Sequence, residues 1–86
     1  MHIITRKRLS DFARLHSELE SALAHWYRTA KSENFSSFAE LRAMFPTADT
    51  VRKLTVFNIG GNKARLIAAI HFNRKRIYIR AGLTPG

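Results

Sequence analysis

Apolar residues in the first third of the chain recur at the spacing of a helix. They follow one another at steps of three, four and seven, and the set is Leu9, Phe12, Leu19, Leu23, Trp26 and Ala30. This periodicity places them on one helical face. The segment Ser17-Glu18-Leu19-Glu20 has the pattern of a capping box, in which Ser17 satisfies an amide at the start of a new helix. We therefore predict a helical hairpin over about 6–15 and about 18–31; one kinked helix is the alternative, and it buries the same residues.

A shorter helix is predicted after this hairpin. The segment Ser37-Phe38-Ala39-Glu40 repeats the capping pattern, and Phe38, Leu41 and Phe45 give one apolar face. Pro46 cannot continue the helix. The predicted third helix therefore spans about 38–45, and its expected role is structural.

The period changes to an alternating one after residue 53. Leu54 to Ile59 is rich in strand-forming residues, and Gly60-Gly61-Asn62 supplies the positive φ angles that a tight reversal needs. From Lys63 to Phe72 apolar residues alternate with a second set on the opposite face: Lys63, Arg65, Ile67, Ala69 and His71. A turn at Asn73-Arg74-Lys75 then precedes a third alternating segment, Arg76 to Arg80. This pattern predicts a three-stranded meander, with Ile3-Ile4 as a candidate strand at its edge.

These elements predict an α+β fold. The helical hairpin and the short third helix pack on one face of a small antiparallel sheet. Residues 1–86 have room for one domain. Cysteine is absent, which excludes thiolate catalysis and cysteine-based zinc sites. The apolar stretches are too short to span a bilayer, and the N-terminus has no signal-peptide pattern, so we expect a cytoplasmic protein without membrane contact.

Charge gives the first indication of a partner. The chain has 15 Lys and Arg against 6 Asp and Glu, a net charge of +9, and no acidic residue follows Asp49. A basic half joined to a nearly balanced half is typical of proteins that bind a polyanion, here nucleic acid or the ribosome. The alternative is a solvated basic face that only keeps the protein in solution.

The predicted sheet provides a place for such a polyanion. If helices cover its apolar face, Lys63, Arg65, Tyr78 and Arg80 project from the other face, with Arg76 at the rim. Guanidinium groups bind phosphate through paired hydrogen bonds, and an aromatic ring among them stacks on an unpaired base. The pattern indicates a surface for single-stranded RNA. The alternative is that these residues are ordinary cross-strand partners.

Other chemistry finds little support in the sequence. The histidines (His2, His16, His25 and His71) do not have metal-ligand spacing, and we expect neither a metal nor a cofactor. The turn Gly60-Gly61-Asn62-Lys63 lacks the spacing of a phosphate-binding loop and precedes a strand. Trp26-Tyr27 is interpreted as core packing.

The motifs of the second half resemble a known family. The string Val56-Phe57-Asn58-Ile59-Gly60-Gly61-Asn62-Lys63 is followed by Arg65-Leu66-Ile67 and Tyr78-Ile79-Arg80, and the first half contributes Ile3-Ile4-Thr5, Trp26-Tyr27 and Phe38-Ala39-Glu40-Leu41 with Phe45-Pro46. In this order they are similar to the HigB toxin family of bacterial toxin–antitoxin systems. The resemblance implies a RelE-like fold and an endoribonuclease that cleaves messenger RNA on the translating ribosome.

The resemblance also implies partners and site residues. The implied partners of the protein are the ribosome, mRNA and a HigA-type antitoxin with a helix-turn-helix. The toxin is expected to reach operator DNA only through this antitoxin. Arg65 matches the arginine that contacts the scissile phosphate, and Lys63 and Arg80 are expected beside it as catalytic residues. We expect four further RNA-binding residues: Arg76, Tyr78, Lys53 and Asn62.

One departure from the family concerns the last residues. Family members continue through a Thr-His-x-Glu-Tyr-Asp motif, whereas this chain has Thr84-Pro85-Gly86. Pro85 stands where the family has its histidine, and proline has no side-chain group for proton transfer. We therefore expect that the C-terminal catalytic motif is missing and that cleavage is impaired. The alternative is a non-catalytic module that binds RNA, ribosome or antitoxin. A gyrase-poisoning toxin of the ParE type would share the fold but not the Gly-Gly-Asn-Lys string.

Overall fold

The computed structural model describes residues 1–84. It has three helices and five strands, in the order β1 (His2–Ile4), α1 (Arg6–Leu15), α2 (Glu20–Ser32), α3 (Phe38–Met44), β2 (Asp49–Val51), β3 (Leu54–Ile59), β4 (Ala64–His71) and β5 (Arg76–Leu83). Short 3-10 turns at Ser17–Leu19 and Phe72–Arg74 join α1 to α2 and β4 to β5. The α+β class and the predicted helices and strands are confirmed, with ends that differ by up to three residues.

The five strands form one sheet in the order β1-β5-β4-β3-β2. The strands β2 to β5 are antiparallel neighbours, and β1 lies at the edge beside β5, as the sequence indicates for Ile3-Ile4. Two details differ from the expected antiparallel meander. β1 pairs with β5 in parallel, because the chain passes through the helices before it returns, and a connection of this length allows parallel strands. β2 adds a fifth strand.

The helices cover one face of the sheet. Leu9 and Phe12 of α1 and Leu23, Trp26 and Ala30 of α2 are buried against the inward residues of β3, β4 and β5, which are Phe57, Ile59, Ala64, Leu66, Ala68, Ile77 and Ile79. The indole of Trp26 meets the ring of Phe57 edge-on, with centroids 5.2 Å apart. The predicted helical stripe and the interpretation of Trp26 as a core residue are therefore confirmed.

The two predicted capping boxes have different outcomes. The amide of Glu40 donates to Ser37 Oγ at 3.3 Å, and Glu40 Oε1 accepts from the amide of Ser36, so the start of α3 is capped as expected. The prediction for Ser17 is wrong: it begins a 3-10 turn, α2 starts at Glu20, and no side chain caps either start. Leu19 is buried, so the residues that join α1 to α2 pack against the core as a tight turn.

Close packing fixes α1 on β5. A methyl group added to Gly82 would lie 2.6 Å from ring carbons of Phe12, a distance that atoms in a folded protein do not reach without movement. Gly82 therefore allows α1 to lie directly on β5. The position of α1 matters below because it carries Arg8.

No helix within residues 1–84 is both long enough and apolar enough to cross a membrane.

Candidate nucleic-acid interface

The sheet face opposite the helices is open. Along β3 the buried residues alternate with partly exposed ones, and along β4 the exposed residue Arg65 lies between buried Ala64 and buried Leu66. This alternation gives the open face the following residues: Leu54, Val56, Asn58, Arg65, Ile67, Ala69, His71, Arg76, Tyr78, Ala81 and Leu83. Basic, aromatic and apolar side chains thus share one surface that the helices leave uncovered.

A β-bulge interrupts this face at Arg80. Ala68 pairs with Ile79 and Ile67 pairs with Ala81, which leaves Arg80 as an extra residue in β5. Its carbonyl oxygen instead accepts a hydrogen bond from Nη1 of Arg8 on α1, at 2.9 Å. A bulge redirects the side chains near it and is common beside functional sites. Here it joins an arginine of the sheet to an arginine of the helical layer.

A pocket of about 230 Å³ lies beside the bulge. We call it the bulge pocket; it is lined by Thr5, Arg8, Ala69, His71, Tyr78, Ile79 and Arg80. β1 ends opposite Tyr78, so the carbonyl of Ile79 is left to Thr5, whose hydroxyl donates to it at 2.8 Å. The rings of His71 and Tyr78 meet edge to face, with centroids 5.1 Å apart and planes at 78°.

The bulge pocket combines three kinds of group that RNA chemistry uses. The guanidinium groups of Arg8 and Arg80 stay protonated and hold phosphate by paired hydrogen bonds. The Tyr78 ring offers a surface for a base. The His71 imidazole has ring nitrogens that can donate or accept a hydrogen bond. No acidic side chain lines the pocket.

Arg65 lies at a second place on the open face, beside the β3–β4 turn. We call this region the turn end; it consists of Asn58, Asn62, Arg65, Leu83 and Thr84. Arg65 lies between Asn58 of β3 and Leu83 of β5 in register, and with Asn62, Leu83 and Thr84 it lines a shallow pocket of about 430 Å³. A smaller pocket of about 170 Å³ extends from Arg65 towards Asp49. The turn end therefore offers one cation, two amides and an apolar rim.

Lys63 does not join Arg65. Gly60 and Gly61 have positive φ, as the sequence predicts, whereas the expected positive φ at Asn62 is wrong; the turn from Gly60 to Lys63 has four residues. A methyl group placed on Gly60 would lie 3.4 Å from Cδ of Lys63 and 3.7 Å from Cβ of Ala22 on α2. The Lys63 side chain thus lies against Gly60, in a part of the turn that Ala22 of α2 also approaches. The expected cluster of Lys63, Arg65 and Arg80 is divided among three places, although each side chain is exposed.

The four expected RNA-binding residues are also divided. Tyr78 is half-buried in the bulge pocket, and Asn62 belongs to the turn end. Arg76 starts β5 opposite His71, six residues along β4 from Arg65, which corresponds to about 20 Å along the strand. Lys53 lies in the two-residue turn between β2 and β3 and lines neither region.

Sequence reasoning missed Arg8, Thr5 and the site role of His71. The alternating pattern already placed His71 on the outward face of β4, so its position beside Tyr78 follows once the register of β4 and β5 is known. Arg8 had no comparable signal, because only the docking of α1 on β5 brings it to the bulge. Within residues 1–84, no three His, Asp or Glu side chains are close enough together to hold a metal ion.

Comparisons with known proteins agree with the motifs of the second half. Residues 19–84 match the family model described as HigB_toxin, a RelE-like toxic component of a toxin–antitoxin system. The chain is 34% identical to the mRNA interferase toxin HigB of Escherichia coli strain K12 over 87 residues, which cover 98% of this chain and 84% of that protein. It is 36% identical to the mRNA interferase HigB of Escherichia coli O6:H1 (strain CFT073) over 83 residues, which cover 93% of this chain and 81% of that protein.

Proposed function

Because the chain belongs to the HigB family of RelE-like toxins, we propose that it is an mRNA interferase that cleaves messages on the translating ribosome. Membership of a toxin–antitoxin family implies an antitoxin partner. In our proposal this partner is a HigA-type protein with a helix-turn-helix, and the toxin reaches operator DNA only through it. The ribosome and mRNA are the other partners, and the site of action is the cytoplasm, where translation occurs.

The bulge pocket is the observation that carries this proposal. Metal-free RNA cleavage joins a 2′-oxygen to the adjacent phosphorus and expels the 5′-oxygen of the next nucleotide. The phosphorane-like transition state gains negative charge on its non-bridging oxygens, and fixed cations lower its free energy. A 2.9 Å hydrogen bond from Nη1 of Arg8 to the backbone carbonyl of Arg80 holds the Arg8 side chain at the bulge, and we place the scissile phosphate at the guanidinium groups of Arg8 and Arg80.

Tyr78 has a different role in this proposal. Its ring is half-buried in the bulge pocket and is braced by His71 at 5.1 Å. A base that has left its stack can lie on such a ring, a contact worth about 1–3 kcal/mol in single-strand binding proteins. This contact holds the nucleotide next to the scissile phosphate in the geometry for in-line attack.

The turn end binds the same RNA strand farther along in this proposal. Arg65 lies two to three residues of β4 away from the bulge, about 7–10 Å, which is comparable to the spacing of one or two nucleotides. Asn62 beside it supplies amide hydrogen-bonding groups. The family resemblance instead implies that Arg65 and Lys63 act beside Arg80 at the scissile phosphate. That placement stays an untested alternative to ours, and RNA contacts by Lys53 and Arg76 stay predictions.

Primer extension on messages translated in a purified system tests the function. We expect new 5′ ends within the message only when it is being translated, and their loss when a HigA-type antitoxin is added before the toxin. Arg28→Ala on α2 removes one exposed arginine from the helical side and serves as the control for loss of charge. Intact messages at toxin concentrations above that of ribosomes would contradict an interferase; ribosome or antitoxin binding without cleavage would instead support the non-catalytic module.

The expected impairment of cleavage concerns Pro85 and Gly86, which lie outside the described residues. It stays a prediction. The same assay decides it, because a cleavage rate equal to that of a HigB protein with the Thr-His-x-Glu-Tyr-Asp motif would contradict it.

A further inference from the structure

The bulge pocket contains a proton acceptor that the sequence motifs did not indicate. Of the four histidines, His71 lines this pocket, as the last residue of β4. Its side chain is exposed, and its ring contacts Tyr78 edge to face. It is therefore accessible to RNA that lies across Arg8 and Arg80.

Among the side chains that face one another in the bulge pocket, His71 is the one that we expect to accept a proton. Arg8 approaches from α1, Tyr78 and Arg80 from β5, and Arg76 is its cross-strand partner. His2 of β1 lies beyond Arg76 in register. A guanidinium has no acceptor, and a tyrosine phenol is neutral near pH 7, whereas a neutral imidazole nitrogen accepts a proton. None of these neighbours is a carboxylate.

We propose that His71 is the general base of RNA cleavage; this inference rests on the proposed function. A neutral imidazole nitrogen of His71 takes the proton of the 2′-hydroxyl. The 2′-oxygen then forms a bond to phosphorus, the bond from phosphorus to the 5′-oxygen breaks, and that oxygen takes a proton from water. The products are a 2′,3′-cyclic phosphate and a 5′-hydroxyl. The imidazolium returns its proton to solvent.

Single-turnover cleavage of a message on a programmed ribosome, measured from about pH 5.5 to about pH 8.5, tests this role. His71→Gln keeps a hydrogen-bonding side chain but cannot act as a base. We expect its rate to fall by roughly 100-fold or more and to lose the rise with pH that a histidine base is expected to give the wild-type chain. Binding to the ribosome and the thermal unfolding midpoint should stay unchanged, because His71 is exposed.

Two further variants complete the experiment. His25→Gln changes an exposed histidine of α2 on the helical side, and we expect the wild-type rate and pH profile. In His71→Ala, imidazole added to the buffer should restore part of the rate, in proportion to its neutral fraction. A merely structural histidine would not give this rescue.

The outcomes separate this inference from the function itself. A wild-type chain that cleaves, with His71→Gln equal to it at every pH, would show that His71 only packs against Tyr78. A slow His71→Gln that keeps the wild-type pH profile, without imidazole rescue of His71→Ala, would make it a positioning residue and overturn the base. A wild-type chain that leaves translated messages intact would overturn the proposed function and this inference together.

Discussion

The open face of the sheet has two regions that carry arginine, and they differ in how they are built. The turn end combines the β3–β4 hairpin with the end of β5, and its Arg65 follows directly from a sequence string. The bulge pocket takes residues from the junction between β1 and α1, from α1, and from β4 and β5, up to 75 positions apart. Its cations meet aromatic and imidazole groups, whereas Arg65 meets amides and apolar side chains. The most recognisable sequence motif, which contains Arg65, therefore does not hold all of the reactive groups.

Of the substitutions in the two regions, Arg80→Ala should lower the cleavage rate most. In Arg80→Ala the scissile phosphate loses a fixed cation, and we expect the single-turnover cleavage rate to fall about 100- to 1,000-fold. Binding to the ribosome should weaken only slightly. The measurement is cleavage at saturating toxin, beside Arg28→Ala as the control.

A larger loss of cleavage rate in Arg65→Ala than in Arg80→Ala would contradict this assignment. If Arg65→Ala lowers the saturating rate more than Arg80→Ala does, the scissile phosphate belongs at the turn end, as the family resemblance implies.

Gly82→Ala tests whether the bulge pocket depends on the docking of α1. The added methyl group would meet the Phe12 ring at 2.6 Å, so either α1 or β5 must shift. Such overpacking lowers the free energy of unfolding by about 1–3 kcal/mol. We expect slower cleavage as well, because Arg8 moves with α1. Thermal unfolding and cleavage are measured on the same preparation.

Gly61→Ala is the matched glycine variant at the other region. Gly61 has a φ of 72°, which strains an alanine, but within residues 1–84 nothing beyond its own chain neighbours lies within 4 Å of the added methyl group. It should lower stability through the turn while the cleavage rate of the folded protein is retained. Equal losses of rate in both variants would contradict a special dependence on α1.

Much of this architecture was available from the sequence, because it depends on local periodicity. The stripe from Leu9 to Ala30 and the alternation from Ala64 to Phe72 each specify which face is buried, and both were confirmed. β2 was missed since its three residues are all exposed and show no alternation. The candidate site could be predicted only in part: the sequence identified Tyr78 and Arg80 as outward residues of the last strand.

The bulge pocket as a whole could not be predicted for a physical reason. The extra residue at Arg80 depends on how β5 pairs with β4, and the approach of Arg8 depends on a helix 72 residues away in the chain. Neither is encoded in a local period. The alternation from Lys63 to Phe72 also counted Lys63 as a neighbour of Arg65, whereas Lys63 lies in the turn before β4 and its side chain lies against Gly60.

Arg65→Ala should have a moderate effect on affinity. Loss of one phosphate contact is expected to weaken RNA binding about 10-fold and to reduce the slope of log affinity against log salt by about one. The rate at saturation should stay near that of the wild-type chain. Binding of a cleavage-resistant message to toxin and ribosome, measured at several salt concentrations, checks both quantities; an unchanged slope would remove Arg65 from the phosphate contacts.

Lys63→Ala should have the smallest effect. Its side chain lies against Gly60 and lines neither of the two pockets, so affinity and rate should change by less than about twofold, within the range of ordinary surface charges. Lys63→Ala and Arg65→Ala are compared in the same binding assay. Equal losses in the two variants would mean that the RNA wraps around the turn.

The central claim is the position of the scissile nucleotide, and cross-linking tests it most directly. A message with 4-thiouridine at the scissile position and a 2′-O-methyl group there, which removes the nucleophile, is bound on the ribosome and irradiated. Mass spectrometry then identifies the linked toxin residue. The account predicts cross-links to Tyr78 or His71 in the bulge pocket; cross-links confined to Asn62, Arg65 or Leu83 at the turn end would contradict it.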